Sequence, residues 1–242
     1  MSFFGELYLR STLPFLSAEV TEREVACLAR AFASLAPAGP VVDLGCGHGR
    51  HAFRLNTAGP LKGRVVGLEL DPLSLAEREP GFPAVRGDLR ALPFRTGTLA
   101  GAYAWYSTLF AFTDAEHAQV LREVARCLKP GGRLVFQTVP WERLLAQPSA
   151  AFQQRLPDGS VLEEESRFDP STGRDTGRRT LRLPEGRVLS GTYAIRYYPL
   201  ADLTQLLDCT GFSIRWVHGG LEGEPPSKDS TDLIVGAELR HG

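Results

Sequence analysis

The apolar positions of the chain fall into short runs and amphipathic stripes that alternate from residue 41 to residue 139. Ahead of them, "TEREVACLARAFASL" sets Val25, Leu28, Ala29, Phe32 and Leu35 at helical spacing, and Thr21 with Glu24 has the form of a capping box that would start this helix. "APAGP" then breaks it. "VVDLG" reads as a first strand, "RHAFRLNTA" as a helix, "GRVVGLELDP" as a second strand stopped by Pro72, and "PLSLAERE" as about two helical turns. "FPAVRGD" and "AGAYAWYS" supply a third and a fourth strand. Thr113 and Glu116 form another capping box, opening a helix whose apolar stripe is Val120, Leu121, Val124, Ala125 and Leu128; "KPGG" stops it before the strand "RLVFQTV".

Strand and helix in this order predict an α/β fold, a doubly wound and mostly parallel sheet with helices on both faces and its ligands beyond the carboxyl ends of the strands. After Trp141 the pattern changes. The stretch 150–198 is polar, turn-rich and partly alternating, with turns expected at "PSTGRDTG" and "PEG", which predicts a small antiparallel β insertion. It is expected to serve as a substrate lid or as the contact of a homodimer. "PLADLTQLLDCTGF" then reads as an amphipathic helix closed by Gly211, and "SIRWVHGG" and "TDLIVGAEL" as a final antiparallel strand pair joined by a mobile loop, "GLEGEPPSKDS". The whole is expected to be a single domain over 1–242, with cap helices within 1–36.

Composition changes this picture little. With 242 residues, 43% of them hydrophobic, and a formal net charge of -1, the chain suits one sizeable core. Balanced charge argues against a protein that wraps duplex nucleic acid. No apolar run reaches the roughly 18 residues that span a bilayer, and the N-terminus lacks the order of a secretory signal, so the expected location is cytoplasmic. The four cysteines, Cys27, Cys46, Cys127 and Cys209, form no C-x-x-C pair; buried free thiols are expected, with neither a zinc cage nor disulfides.

The candidate chemistry begins at "PVVDLGCGHGRH", where a strand ends in Gly45, Gly47 and Gly49 and a helix follows. Glycines let the main chain approach a ligand closely, and the helix start offers unpaired N–H groups to a negative group. The spacing is G-x-G-x-G, one residue short of the dinucleotide fingerprint, which disfavours an NAD-dependent dehydrogenase. Glu69 lies near the end of the second strand, where a carboxylate can accept both hydroxyls of a ribose. Asp71 is expected to be a turn residue before Pro72.

"VVDLGCGHGRH", "VVGLELDP", "GDLRALPF" and "LKPGGRL" stand in the order and at about the intervals of the class I S-adenosylmethionine-dependent methyltransferases, and the chain resembles that family from roughly Val25 to Val139. The resemblance implies a Rossmann-like seven-stranded sheet whose last strand is antiparallel. It also implies S-adenosyl-L-methionine as cofactor, a methyl acceptor, and roles for particular residues. Gly45, Cys46 and Gly47 would line the methionine part, and Asp43 would hold the turn or the ammonium. Glu69 would take the ribose hydroxyls and Leu70 would flank the adenine. Asp88 with the backbone at Leu89 would read the adenine amino edge, and Trp105 would offer a carbonyl to the ammonium. Tyr8 is a further cofactor-contact candidate in a leading helix, and Arg50 and His51 could reach the cofactor carboxylate or the substrate. The sequence departs from the family in a short helix after the second strand and in Ala100 and Gly101, where an aspartate is common.

The residues identify no general base. An amine acceptor that is neutral near pH 7 needs none, whereas a phenol or alcohol would profit from a His or a carboxylate. His117, at the start of the helix after the fourth strand, is expected to face solvent. Tyr106, Tyr193, Tyr197 and Tyr198 could form an aromatic pocket for a cation, although aromatic residues in strands more often belong to the core. The expected acceptor is a small molecule methylated at N or O, with RNA or protein methylation and non-catalytic cofactor binding as alternatives.

Overall fold

The computed structural model describes residues 5–35 and 38–240, so part of the "APAGP" break and the first four residues of the expected N-terminal cap lie outside the described residues. In chain order the elements are α1 (Glu6–Thr12), α2 (Ala18–Phe32), β1 (Val41–Leu44), α3 (Arg50–Thr57), β2 (Val65–Glu69), α4 (Pro72–Ala76), β3 (Ala84–Arg86) and β4 (Leu99–Ala104). Then come α5 (Asp114–Cys127), β5 (Leu128–Thr138), α6 (Trp141–Ala146), β6 (Ser149–Arg155), β7 (Val161–Asp169), β8 (Arg174–Arg182), β9 (Val188–Arg196), α7 (Leu200–Cys209), β10 (Phe212–His218) and β11 (Leu233–Leu239).

Seven strands form one sheet in the order β10-β11-β5-β4-β1-β2-β3, and four form a second, β6-β7-β8-β9. In the first sheet β1 pairs parallel with β2 and β4, and β11 runs antiparallel to both β5 and β10. The sheet is therefore Rossmann-like, mostly parallel, with an antiparallel last strand, as expected. Its central strands are buried on both faces, which is why they read as continuous apolar runs and not as alternating ones. One face packs on α5 and α7 through Val120, Leu121, Val124, Leu203 and Leu207, and the other on α2 and α3 through Leu28, Phe32, Ala52 and Leu55.

The second sheet has its own small core. Leu162, Leu181, Leu183 and Leu189 close around Leu7 of α1, which is 2% exposed. Burying a leucine contributes about 1.5–3 kcal/mol, so this one side chain fastens α1 to the insertion. The glycine that precedes α1, Gly5, comes close to Asp71 just beyond β2. Helix α1 thus touches the insertion on one side and the end of β2 on the other.

Several local readings are corrected by packing. Helix α2 starts at Ser17, whose side chain accepts from the Val20 N–H, so Thr21 and Glu24 lie inside the helix and are buried. They share the stripe of Leu28 and Phe32, and a carboxylate on an apolar stripe is a site signal that the capping pattern concealed. His117 is fully buried, not solvent-facing. Only "PSTG" turns between β7 and β8, because "RDTG" continues as strand β8; "PEG" does turn between β8 and β9. The "KPGG" segment is drawn into the start of β5. Cys27, Cys46 and Cys127 are buried free thiols, whereas Cys209 is exposed.

Candidate functional site

The glycine turn is built as its sequence requires. Gly45, Gly47 and Gly49 have φ of 70°, 56° and 84°, in the left-handed region that side chains avoid. The N–H groups of Gly45 and Cys46 both donate to the Leu68 carbonyl, at 2.8 and 2.9 Å, which pins the turn to the end of β2. A Cβ on Gly49 would stand 2.0 Å from the Phe82 ring and one on Gly45 2.5 Å from Thr108, but at Gly47 it would meet nothing within 4 Å. Two of the glycines thus serve packing, and the third faces open space.

Glu69 stands at the end of β2 with its carboxylate bound three times by main chain. Oε2 accepts from the Gly47 N–H at 2.9 Å, and Oε1 from the N–H groups of Leu70 and Asp71 at 2.8 and 2.9 Å. The side chain is held rigidly, and a carboxylate has about four lone-pair sites, so capacity remains for hydroxyl donors. Leu70 beside it is 52% exposed. Asp71 caps α4 by accepting from the Ser74 N–H at 2.7 Å.

On β1, Asp43 is 3% exposed, and both its Oδ2 and the neighbouring Tyr103 hydroxyl are enclosed without a regular hydrogen-bond partner. Burial pushes the Asp43 carboxyl up to about 7, against the pull of Tyr103 and of the Arg50 charge. Arg50, at the start of α3, is 9% exposed; its Nη1 bonds Thr21 at 3.0 Å and pairs with Glu24, while its Nη2 is enclosed and unpartnered. Buried orphans of both signs are costly in a structure at rest. They could hold a ligand's ammonium and carboxylate.

Glu24 organises the adjoining wall. One oxygen takes Arg50 and the His51 Nε2 at 2.9 Å, and the other accepts the Tyr106 hydroxyl at 2.7 Å. Burial opposes the Glu24 charge, but hydrogen bonds from His51 and Arg50 outweigh it and bring the carboxyl down to about 2. Burial lowers His51, so at neutral pH its ring is uncharged and donates Nε2–H. The Arg50 guanidinium lies over the Tyr106 ring, 5.3 Å from its centre.

Just past β4, Tyr106 and Ser107 have φ of 52° and 57°, and among the described residues no other side-chain-bearing residue has positive φ. Such backbone costs about 1–3 kcal/mol per residue and persists only where its surroundings enforce it. Here Gln137 and Thr138 of β5 do so: Gln137 Oε1 accepts the Tyr106 N–H at 2.8 Å, its carbonyl accepts the Ser107 N–H at 3.1 Å, and the Ser107 and Thr138 hydroxyls are 3.0 Å apart. Gln137 in turn donates to Asp232 at 2.8 Å. The Trp105 carbonyl accepts the Thr108 hydroxyl at 2.6 Å.

Asp88 and Leu89 follow β3. Both Asp88 oxygens receive Arg90, Nε at 3.0 Å and Nη2 at 2.7 Å, and Arg90 continues to Glu116 at 2.6 Å. The arginine contacts hold Asp88 below the usual carboxylate range. Leu89 is buried at 8% exposure and Cys46 at 9%. The structure thus gathers Asp43, Gly45, Cys46, Gly47, Glu69 and Leu70 around one turn, with Trp105 and the Asp88–Leu89 pair at neighbouring strand ends. It adds Glu24, Tyr106 and Gln137, which sequence patterns did not single out as a network.

A family model described as a methyltransferase domain matches residues 41–132, the stretch that holds all of these strand ends except β5. Over this stretch the chain carries a methyltransferase domain, and it is similar there to the class I S-adenosylmethionine-dependent methyltransferases. S-adenosylmethionine, the methyl donor of such domains, has an ammonium, a carboxylate and ribose hydroxyls, groups that the Asp43 Oδ2, the Arg50 Nη2 and the strand-end Glu69 could hold. Among curated relatives, the cypemycin N-terminal methyltransferase of a Streptomyces species is 27% identical over 209 residues, 81% of each chain. An uncharacterised 37.1 kDa protein of transposon Tn4556 in Streptomyces fradiae is 33% identical over 120 residues, 45% of this chain and 32% of that one. Demethylmenaquinone methyltransferase of Corynebacterium kroppenstedtii is 38% identical over 128 residues, 48% of this chain and 53% of that one. The match thus spans a third to a half of the length of the last two.

Solved structures agree in fold over nearly the whole chain. A methyltransferase of Clostridium acetobutylicum superposes with a TM-score of 0.81 at 13% identity, covering 97% of both chains. The CcbJ methyltransferase of Streptomyces caelestis gives 0.77 at 24% identity over 91% of this chain and 90% of that one. CalS10, an amino pentose methyltransferase of Micromonospora echinaspora, gives 0.71 at 22% identity over 99% of both.

Proposed function

We propose that the protein transfers a methyl group from S-adenosylmethionine to a nitrogen of a small amine-bearing molecule. The observation that carries the reading is the strained Tyr106–Ser107 turn at the end of β4, which the Tyr197 hydroxyl reaches from just past the insertion sheet, so that an acceptor would meet the cofactor beside tyrosines. Relatives named for an amino pentose and for a peptide N-terminus support nitrogen as the receiving atom. The insertion, 150–198, would be the acceptor lid.

In this reading Asp43 takes the cofactor ammonium, Arg50 its carboxylate and Glu69 its ribose hydroxyls, while Cys46 and Gly47 line the methionine part. Leu70 and Leu89 flank the adenine, and the Trp105 carbonyl adds an acceptor for the ammonium. Asp88 reads the adenine amino edge while Arg90 keeps it charged. The bound cofactor supplies an electrophilic methyl on a sulfonium. The protein's part is to hold the acceptor nitrogen in line with it and to exclude water, which can account for much of the rate. The first test is calorimetric titration with S-adenosylmethionine and S-adenosylhomocysteine, using wild type and Glu69→Ala, followed by mass-spectrometric detection of methyl transfer to amine and phenol panels. Micromolar binding that Glu69→Ala weakens at least about tenfold, with methylated amines, supports the proposal; methylation of phenols alone overturns nitrogen as the target.

A further inference from the structure

The inner face of the insertion sheet carries chemistry that the cofactor does not use. Alternation and register put Glu164, Ser166, Asp175, Arg179 and Tyr193 on one face of β7, β8 and β9. Leu162, Leu181 and Leu189 share that face and pack on Leu7 of α1, so it looks into the protein. The two carboxylates on it differ. Glu164 is engaged: it pairs with Arg179 and accepts the Tyr193 hydroxyl at 2.7 Å, and Arg179 goes on to Ser11 and Thr12 of α1 at 3.1 and 2.8 Å. Asp175 is half-buried, and no cation contributes to its environment; Ser166 is its hydrogen-bonding neighbour.

Asp175 lies between Phe168 and Ile195 in register, with Tyr193 and Tyr197 as its polar aromatic neighbours. A Cβ on Gly177 would stand 2.2 Å from the Tyr193 ring, so the glycine is what lets that ring lie against the sheet. Tyr197, 7% exposed, feels the Asp175 charge, and its hydroxyl reaches Ser107 in the strained turn beyond β4. Tyr8 of α1 lies within the fields of both Arg179 on the insertion and Arg50 and Glu69 near the glycine turn, which brings the insertion near the Arg50 Nη2 that has no partner. A half-buried carboxylate with no cation, facing aromatic rings, is a site for a cation.

We infer that Asp175 anchors the acceptor: it holds the ammonium of an amine substrate beside Tyr193 and Tyr197 and takes one of its protons. This rests on the amine reading above. The proton passes from nitrogen to an Asp175 oxygen, the electron pair of the broken N–H bond stays on nitrogen as the lone pair needed for attack, and the proton leaves to water after the product does. Burial raises the Asp175 carboxyl and the Glu164 charge adds to this, against the Ser166 hydrogen bond, which suits a proton acceptor. The titratable groups facing it are Glu164, Tyr193 and Tyr197.

The test uses sinefungin, a cofactor analogue with a primary ammonium in place of the transferable methyl, beside S-adenosylhomocysteine, which has neither. Asp175→Asn should bind S-adenosylhomocysteine within about twofold of wild type but sinefungin about tenfold more weakly, with Asp175→Glu recovering part of the loss. In wild type the preference for sinefungin should shrink as pH falls from about 8 to about 5 and the carboxylate is protonated. An unchanged ratio of the two affinities in Asp175→Asn overturns the assignment, and so does an equal loss of both, which would make Asp175 structural. Failure of wild type to methylate any amine while it methylates phenols removes the reading beneath it, a result separate from the binding ratio.

Discussion

The Tyr106 hydroxyl donates to Glu24 across 2.7 Å, so the strained end of β4 is tied to α2 by the same carboxylate that holds Arg50 and His51. Cutting into this cluster from its centre leaves buried groups uncompensated. Glu24→Gln is expected to lower stability by about 3–5 kcal/mol, the range for breaking a buried ion pair, and Tyr106→Phe by about 1 kcal/mol for a single hydrogen bond. Urea midpoints measure both. Equal losses would mean that Arg50 and His51 relax independently of Glu24.

The three glycines of the turn should separate into two kinds. Gly49→Ala meets the Phe82 ring and is expected to destabilise the fold severely, by about 3 kcal/mol or more. Gly47→Ala has open space but a φ of 56°, so it should cost only about 1 kcal/mol of stability. In the proposed site its methyl would point into space left for the cofactor. A folded Gly47→Ala protein that has lost S-adenosylhomocysteine binding is the expected outcome; full retention of binding would mean the cofactor does not touch that face.

Cofactor affinity should rise with pH near neutrality. The buried Asp43 carboxyl is pushed up to about 7, so in the free protein much of it is protonated below that pH, while an ammonium partner needs the anion. Binding of S-adenosylhomocysteine is expected to strengthen between about pH 6 and about pH 8, with the dependence flattened and the affinity reduced in Asp43→Asn. Calorimetry across that range checks the slope. The same shift means that the Asp43 charge costs the free protein stability as pH rises through 7, so Asp43→Asn should be no less stable at alkaline pH.

His117 predicts an acid weakness of the opposite sign. Burial brings it down to about 4 from 6.5, and it bonds Tyr198 at 2.7 Å, between the insertion and α7. Its neutral form is the one the fold accepts, so its contribution is fully present above about 6.5 and is lost as pH falls through 4, on the order of 2–3 kcal/mol in all. The difference in stability between wild type and His117→Leu should shrink across that window, a comparison in which Asp43 cancels. A difference independent of pH would show that the histidine is not what titrates.

Much of the fold was legible because the signals were local. The Thr113–Glu116 capping box is formed as its spacing predicts, with both reciprocal hydrogen bonds present, and the glycine turn follows β1 where three alternating glycines require it. Helix α2 and His117 were misread for a common reason. A capping pattern or a polar first turn is a statement about neighbours in sequence, and both residues are used instead by neighbours far away: Glu24 by Arg50, His51 and Tyr106, His117 by Tyr198.

The sequence by itself determined the order of strands and helices, the bare turn at Gly45–Gly49 and the acid at the end of the second strand, since periodicity and left-handed backbone are written residue by residue. Only the tertiary structure decided which polar groups are left unpaired. The Asp43 Oδ2 and the Arg50 Nη2 are enclosed without partners, Glu164 is neutralised by an arginine directly across from it on β8, and Asp175 on the same face has no cation. Burial and partnership depend on what the chain brings back from a distance, and no single stretch of sequence carries that information.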